Sequence, residues 1–402
     1  MTASQPSDPD DPDGLTTGDH SPRVSLRTIV AQWTRIGITG FGGPPAHISL
    51  LRQLCVTKRG WIDAHEFEDG IAATNLLPGP ASTQLAIFCA WRLRGWVGGL
   101  LGGVCFIAPG LIVILGLSVL LLSGHPAPAV IGAAAGAGAA VAPVAVQAGA
   151  TLVPASWQRT GATRGGRMRW VAYAVISAAS AILLGPWLVL VLLAAGAVEA
   201  TCQGHRPRIR RAPHPGLALA GWASVGTLGS VAWTALKVGA LSYGGGFVII
   251  PLMRADAVDR HQWLTGDEFL YAVALGQITP GPVVQTVSVI GYAAAGIAGG
   301  LLAAVVAFTP SFVFVLGGGR HFDRLRANPA AQAFLSGAGP AAIGAILGSS
   351  VLLARSITHT WQWPVLALAA IWLLVFKRGV VSALIGAAAL GVAAALAGLP
   401  LH

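Results

Sequence analysis

Proline and hydrogen-bonding side chains occur together twice inside otherwise apolar sequence. One stretch reads Asn75-Leu76-Leu77-Pro78-Gly79-Pro80-Ala81-Ser82-Thr83-Gln84; the other reads Gly276-Gln277-Ile278-Thr279-Pro280-Gly281-Pro282-Val283-Val284-Gln285-Thr286. Proline has no backbone donor and clashes with the preceding turn, so each Pro-Gly-Pro breaks a helix. At membrane depth a broken backbone survives only where protein or a watery cavity satisfies it. A helix restarting at Pro80 or Pro282 presents free N–H groups and the positive end of its dipole, which favours an anion. Ser82, Thr83, Gln84, Gln285 and Thr286 add neutral donors there, and Asn75, Gln277 and Thr279 stand on the other side of each break. A pair of packing kinks explains the prolines; it does not explain amides and hydroxyls beside both.

A second element, Gly40-Phe41-Gly42-Gly43-Pro44-Pro45, is matched by Tyr243-Gly244-Gly245-Gly246. Glycine permits positive φ and close backbone approach, which suits a loop tip offering N–H groups to an oxyanion, although close helix packing uses glycine equally well. Arg52 and Arg254, followed by Lys58 and Arg260, are placed either to attract a dianion or to anchor loops at the interface. Glu66 and Glu268, each followed by Phe, are candidates to carry a coupling proton; the pattern Trp-x-x-x-x-Glu-Phe also reads as an interfacial helix start. There is no HExxH, paired carboxylate or Walker A pattern, so the sequence predicts no enzyme, no metal, no cofactor and no direct ATP drive.

The elements that position these residues belong in a bilayer. Of 402 residues, 54% are apolar and 10% charged, and mean hydropathy is +0.69; soluble chains carry about 25% charged residues. The net charge of +10 comes from clusters between apolar segments, at Arg159–Arg169, Arg206–Arg211 and Arg320–Arg326, as cytoplasmic loops do, and not from a nucleic-acid surface. Four cysteines without regular spacing read as reduced packing residues. Residues 1–22 read as a disordered acidic tail.

An internal repeat organises the rest. At an offset of 202, Arg35 meets Lys237, Gly37 meets Gly239, Trp61 meets Trp263, and Pro78-Gly79-Pro80 meets Pro280-Gly281-Pro282; at 201, Gln84 meets Gln285 and Pro109 meets Pro310. Basic loops follow different segments in the two copies: Arg92 and Arg94 in the first, Arg320, Arg324 and Arg326 in the second. That swap predicts opposite orientations. The expected architecture is an all-α polytopic membrane protein of two inverted homologous repeats. About ten transmembrane helices, plus two Gly-rich re-entrant segments, account for the apolar stretches. The first repeat spans 23–200 and the second 216–402, joined by a basic linker at 201–215. The copies are not identical: Ile249 stands where the first has His47.

These residues, from about Arg27 onward, resemble the chromate ion transporter family, whose hallmarks are a Gly-Gly motif opening each half, a Pro-Gly-Pro in the second segment, and halves of opposite orientation. The resemblance implies an inner-membrane secondary transporter that exports chromate, driven by membrane potential or a proton gradient, and confers chromate resistance. Sulfate, a tetrahedral dianion of similar size, is the rival substrate; an uptake carrier and an anion channel are the rival functions, and a homodimer is one candidate assembly. The inversion has a direct check. Cysteines placed at Arg94 and in the Arg320–Arg326 loop should both react with an impermeant reagent from the cytoplasmic side only, and labelling from opposite faces would exclude it.

Overall fold

The computed structural model describes residues 24–75, 77–122, 124, 126–160, 163–204, 226–242, 246–318 and 328–400, and every regular element among them is helical. The acidic tail, most of the basic linker, Gly244, Gly245 and the loop carrying Arg320, Arg324 and Arg326 lie outside the described residues.

The first half opens with α1 (Leu26–Thr39), whose first turn is capped by the Ser25 hydroxyl and which stops at Gly40. After Gly42 and Gly43, both at positive φ, α2 (Pro44–Arg52) runs into a π-helical turn, Gln53–Lys58. Asp63 caps α3 (Ala64–Thr74). Next, α4 (Ala81–Leu121) begins directly after Pro80 and is folded in two. Arg94 (φ −146°, ψ 24°) and Gly95 (φ 60°, ψ −149°) reverse the chain. The short arm 81–93 therefore lies antiparallel on the long arm 96–121, with Gly98 and Gly102 against Ala90 and Gly103 against Ile87. Then come α5 (Pro128–Arg159), α6 (Arg164–Leu183) and α7 (Leu188–Cys202), the last two joined by a tight turn at Gly185–Trp187.

The second half repeats the order. It contains α8 (Thr227–Leu241), a 3₁₀ turn at Phe247–Ile249, α9 (Ile250–Arg254) with its π-helical turn Ala255–Arg260, and α10 (Gly266–Ile278). After a 3₁₀ turn at Val283–Gln285, α11 (Thr286–Phe312) reverses at Ala295 (φ −152°, ψ 31°) and Gly296 (φ 63°, ψ −156°), the same turn made 201 residues later. Then follow α12 (Pro329–Arg355), α13 (Gln362–Ala370) and α14 (Val380–Leu396). Gly185-Pro186 and Lys377-Arg378 each separate two helices.

Among the described residues, four helical stretches are long and apolar enough to cross a bilayer: α5, α12, and α4 and Val283–Gly317, each of which is folded into a short and a long arm. Large apolar side chains such as Trp96, Ile112, Leu183 and Leu396 stand exposed on the outside, a surface that belongs in lipid. The chain is an all-α polytopic membrane protein. At 14 and 15 residues, α1 and α8 are about 21–22 Å long, short of the roughly 30 Å hydrocarbon core.

Lipid tails are as apolar as leucine, so helices associate in a membrane through close packing of small residues. That rule is followed at each junction between the halves. The long arms of α4 and α11 cross antiparallel: a methyl built on Gly99 would stand 2.6 Å from Leu316, and one on Gly300 2.5 Å from Leu115. In each half the opening helix lies against its own long arm, Gly37 on the Phe106 carbonyl and Gly239 on that of Ala307. The later helices exchange partners. Gly132 and Gly136 of α5 touch the backbone of α14 at Ala387 and Gly391, while Gly344 and Gly348 of α12 touch the α6 carbonyls of Ala174 and Ala178. Replacing Gly136 by Val should force α5 and α14 apart and cost about 1–3 kcal/mol or more. A lowered unfolding temperature of detergent-purified protein, beside an unchanged Gly116→Val control on open surface, checks this.

Candidate functional site

The two Pro-Gly-Pro turns lie at the junction of the halves, and each is fastened to the half it does not belong to. Gly79 N–H donates to Ser242 O at 2.7 Å, and Gly281 N–H donates to Gly40 O at 3.0 Å. The partners are equivalent, since both Gly79 to Gly281 and Gly40 to Ser242 span the 202-residue offset. Each turn also abuts the proline kink of the other half's long arm. A methyl on Gly79 would stand 3.1 Å from Ser311 Oγ, beside Pro310, and Gly110, beside Pro109, meets Pro280 O.

Local chemistry explains the turns. Gly79 (φ 125°) and Gly281 (φ 99°) occupy the left-handed region that a glycine enters freely. Pro80 then sits at the N-cap of α4, and Thr83 and Gln84 N–H bond back to its carbonyl, leaving those of Ala81 and Ser82 without an intrahelical partner. Pro282 opens the second half-helix likewise, with Gln285 N–H bonding back to it at 2.9 Å.

Of the residues singled out from sequence, most converge here. Ser82, Thr83, Gln84, Gln285 and Thr286 are fully buried, and Gln277 and Thr279 nearly so. Gly43 and Gly246 both close on Val283. Asn75 ends α3 one turn before the break and is half-buried. Several of the expected donors are occupied by backbone. Gln84 Nε2 donates to Pro78 O across its own turn at 2.8 Å, Gln285 Nε2 to Ile107 O in the other half at 2.8 Å, and the hydroxyls of Thr279 and Thr286 to Leu275 O and Val283 O. Others have no hydrogen-bond partner: the hydroxyls of Thr83, Ser242, Ser288 and Ser311, Gln277 Nε2, and the Oε1 atoms of Gln84 and Gln285. Buried polar atoms without partners are costly, at roughly 1–3 kcal/mol each, and mark where a ligand or water is wanted. A cavity of about 290 Å³ reaches Pro78 and Leu241 and is walled by apolar side chains of α7 and α12.

Ser242, Ser288 and Ser311 escaped the sequence reading. Their signal was available, since Ser242 is the offset partner of Gly40 and Ser311 follows the matched Pro310. A buried charge was missed too. Asp256 pairs with Lys237 and accepts from Thr234 Oγ1 at 3.0 Å, which settles how α8 carries a lysine through an apolar region. The charges expected around the site stay at its periphery. Arg52 pairs with Glu68 at 2.6 Å, Glu66 pairs with Arg92, and Glu268 forms the capping box of α10 with Thr265. Arg254, half-buried with an unpartnered Nε, lines a separate cavity of about 270 Å³ with Asp259 and Gly185. Among the described residues no cluster of His, Cys, Asp and Glu could hold a metal.

A membrane-embedded helix bundle with two broken helices meeting at its centre is the build of a transporter core. The chain belongs to the chromate transporter family: the family profile described as "Chromate transporter" matches residues 27–200 and 229–393. It is 31% identical to the "Chromate transport protein" of Cupriavidus metallidurans over 92% of this chain and 94% of that one. It is 29% identical to the "Probable chromate transport protein" of Synechococcus elongatus (87% and 91%) and 30% identical to the "Chromate transport protein" of Pseudomonas aeruginosa (85% and 84%). No solved structure matches it significantly.

Because both turn glycines have positive φ, Gly79→Val and Gly281→Val should each add strain of about 1–2 kcal/mol. At Gly79 the new side chain also meets Gln84 Nε2 at 2.5 Å, against 3.4 Å for the nearest atom at Gly281, so Gly79→Ala should be the more damaging alanine variant. Both valine variants should insert and run monodisperse by size-exclusion chromatography while losing most substrate flux. Wild-type flux in both would mean that the turns only pack.

Proposed function

We propose that the protein is a secondary transporter that expels chromate, or another tetrahedral dianion such as sulfate, across the inner membrane, and so confers resistance. The observation that carries this reading is the pair of Pro-Gly-Pro turns, each with a left-handed glycine, cross-bonded to the opposite half and surrounded by buried polar atoms without partners. The relatives' names supply the substrate; the turns supply a reason. Chromate has four acceptor oxygens and two charges. In a dry interior it needs several neutral donors, which hold it without making release prohibitive. Backbone N–H groups of two half-helices, with the hydroxyls of Thr83, Ser288 and Ser311, are such a set. Arg52 and Arg254 then act outside the site, raising the local anion concentration.

The halves are read as inverted copies. Supporting this, the equivalent long arms of α4 and α11 run antiparallel and touch reciprocally, Gly99 on Leu316 and Gly300 on Leu115. Ten spans with two re-entrant Gly-rich openings accommodate the short α1 and α8. In this structure the half-helix side chains are fully buried, so exchange of substrate requires the halves to rock apart about the turns, as inverted-repeat carriers do. A negative cell interior drives a dianion outward with about 4.6 kcal/mol per 100 mV for its two charges, which needs no second ion. Coupling to protons through Glu66 would require the Arg92 pair to open, and through Glu268 would give up the cap of α10.

Counterflow in proteoliposomes tests the function. Vesicles loaded with unlabelled chromate should accumulate labelled chromate transiently, with saturable kinetics, and sulfate should compete less well. Flux that never saturates would identify a channel instead, and preferred sulfate counterflow would identify a sulfate carrier.

A further inference from the structure

One ionisable side chain reaches the centre of the candidate site, and it was noticed in the sequence only because the second half lacks it. His47, on the first turn of α2, is wholly buried. Its Nε2 lies 2.8 Å from Gly40 O and its Nδ1 3.2 Å from Ser82 Oγ, while the Phe106 ring meets its face edge-on at 5.0 Å. Gly40 O is the same carbonyl that receives Gly281 N–H from the other half. The imidazole is therefore tied at one end to the junction of the halves and at the other to the second residue of the first half-helix.

The tautomer follows from these partners. A carbonyl only accepts, so Nε2 carries a proton and donates to Gly40. In the neutral ring Nδ1 then accepts, and the Ser82 hydroxyl must give its proton to it. Ser82 thereby has no donor left for an anion. A proton taken up from water at Nδ1 reverses this bond: the imidazolium donates to Ser82 Oγ, and the hydroxyl proton is freed to turn toward an acceptor at the mouth of the half-helix. No covalent bond changes other than the added N–H.

We propose that His47 is a positioning residue of the oxyanion site, whose protonation turns the Ser82 hydroxyl into a donor and places a positive charge beside the bound dianion. The inference rests on the proposed anion site and names the group that links it to protons. The hydrogen-bond and ring partners of His47 are all uncharged. Ionisable groups on the elements packed against it lie elsewhere: Arg27 and Arg35 are exposed on α1, Arg52 is paired on α2, Arg92 and Arg94 are at the exposed turn of α4, Cys89 is buried on its short arm beside Cys55, and Cys105 borders Phe106. An imidazolium in such surroundings lacks a counter-charge, and a dianion supplies one, so proton and anion each strengthen the other's binding. Because Ile249 occupies the equivalent position, only one half-site has this device.

The test measures chromate binding to purified wild type, His47→Gln and Ser82→Ala between about pH 8 and 4, a window that reaches below histidine's ordinary range because the buried ring has no counter-charge. Chromate itself takes up a proton in weak acid, so the reading is the difference in slope between wild type and variant. Wild-type affinity should gain severalfold more on acidification than either variant, approaching about tenfold at the acid end for a one-unit shift in the histidine's titration. Independently of any variant's folding, the ¹⁵N-imidazole resonance of His47 in wild type should titrate at higher pH when chromate is present. Equal slopes in properly folded variants, or an imidazole titration that chromate leaves unmoved, would overturn the assignment while chromate binding by wild type kept the site itself standing. No saturable binding by wild type at any pH would instead remove the oxyanion site, and this inference with it.

Discussion

A helix interrupted inside a membrane leaves backbone N–H and C=O groups where no solvent can reach them, and everything at the centre of this molecule answers that constraint. Two proline-flanked turns would each strand a glycine N–H in an apolar interior. Each is satisfied by a carbonyl at the end of the opening helix of the opposite half, Gly79 by Ser242 and Gly281 by Gly40. Neither half can hold its own turn in this way. The halves are thus complementary at the backbone level before any side chain is considered, and the candidate site lies where they meet.

Close approach is the second requirement, and glycine meets it with little variety. Helices that must place carbonyls against one another carry Gly37, Gly239, Gly136 and Gly344 at the contact points. This packing is largely symmetric, whereas the polar chemistry laid over it is not. Gln84 closes its own turn, but Gln285 reaches across to Ile107. His47 and Ser82 form a hydrogen-bonded pair that the second half cannot form, while Asp256 and Lys237 form an ion pair for which the first half offers only Leu54 and Arg35. A symmetric scaffold holds two unequal half-sites, which allows one to respond to protons while the other does not.

Much of this was legible in the sequence, because prolines, glycines and charges in apolar stretches have few uses. The helix breaks at Pro78–Pro80 and Pro280–Pro282 and the basic turn at Arg92 and Arg94 follow from residue type. The partners of those breaks were not legible. Nothing in the spacing of Ser242 or Gly40 says that its carbonyl accepts a hydrogen bond from a glycine in the other half. Ser288 and Ser311 likewise look like ordinary members of apolar helices, and Asp256 like a loop charge, until the fold buries them. Their roles come from tertiary juxtaposition, which a one-dimensional pattern does not carry.

The exchange of partners between the later helices governs how the chain can be assembled during synthesis. Helix α5 leaves the ribosome with Gly132 and Gly136 bare, because the surface they dock on, around Gly391, is made about 250 residues later. Until then the first half sits in the membrane with an open seam, and contacts so distant in sequence form slowly. A premature stop ahead of α14 would therefore leave α5 without the surface that Gly132 and Gly136 dock on. Quality control in the membrane would meet a protein whose α5 face is still unsealed.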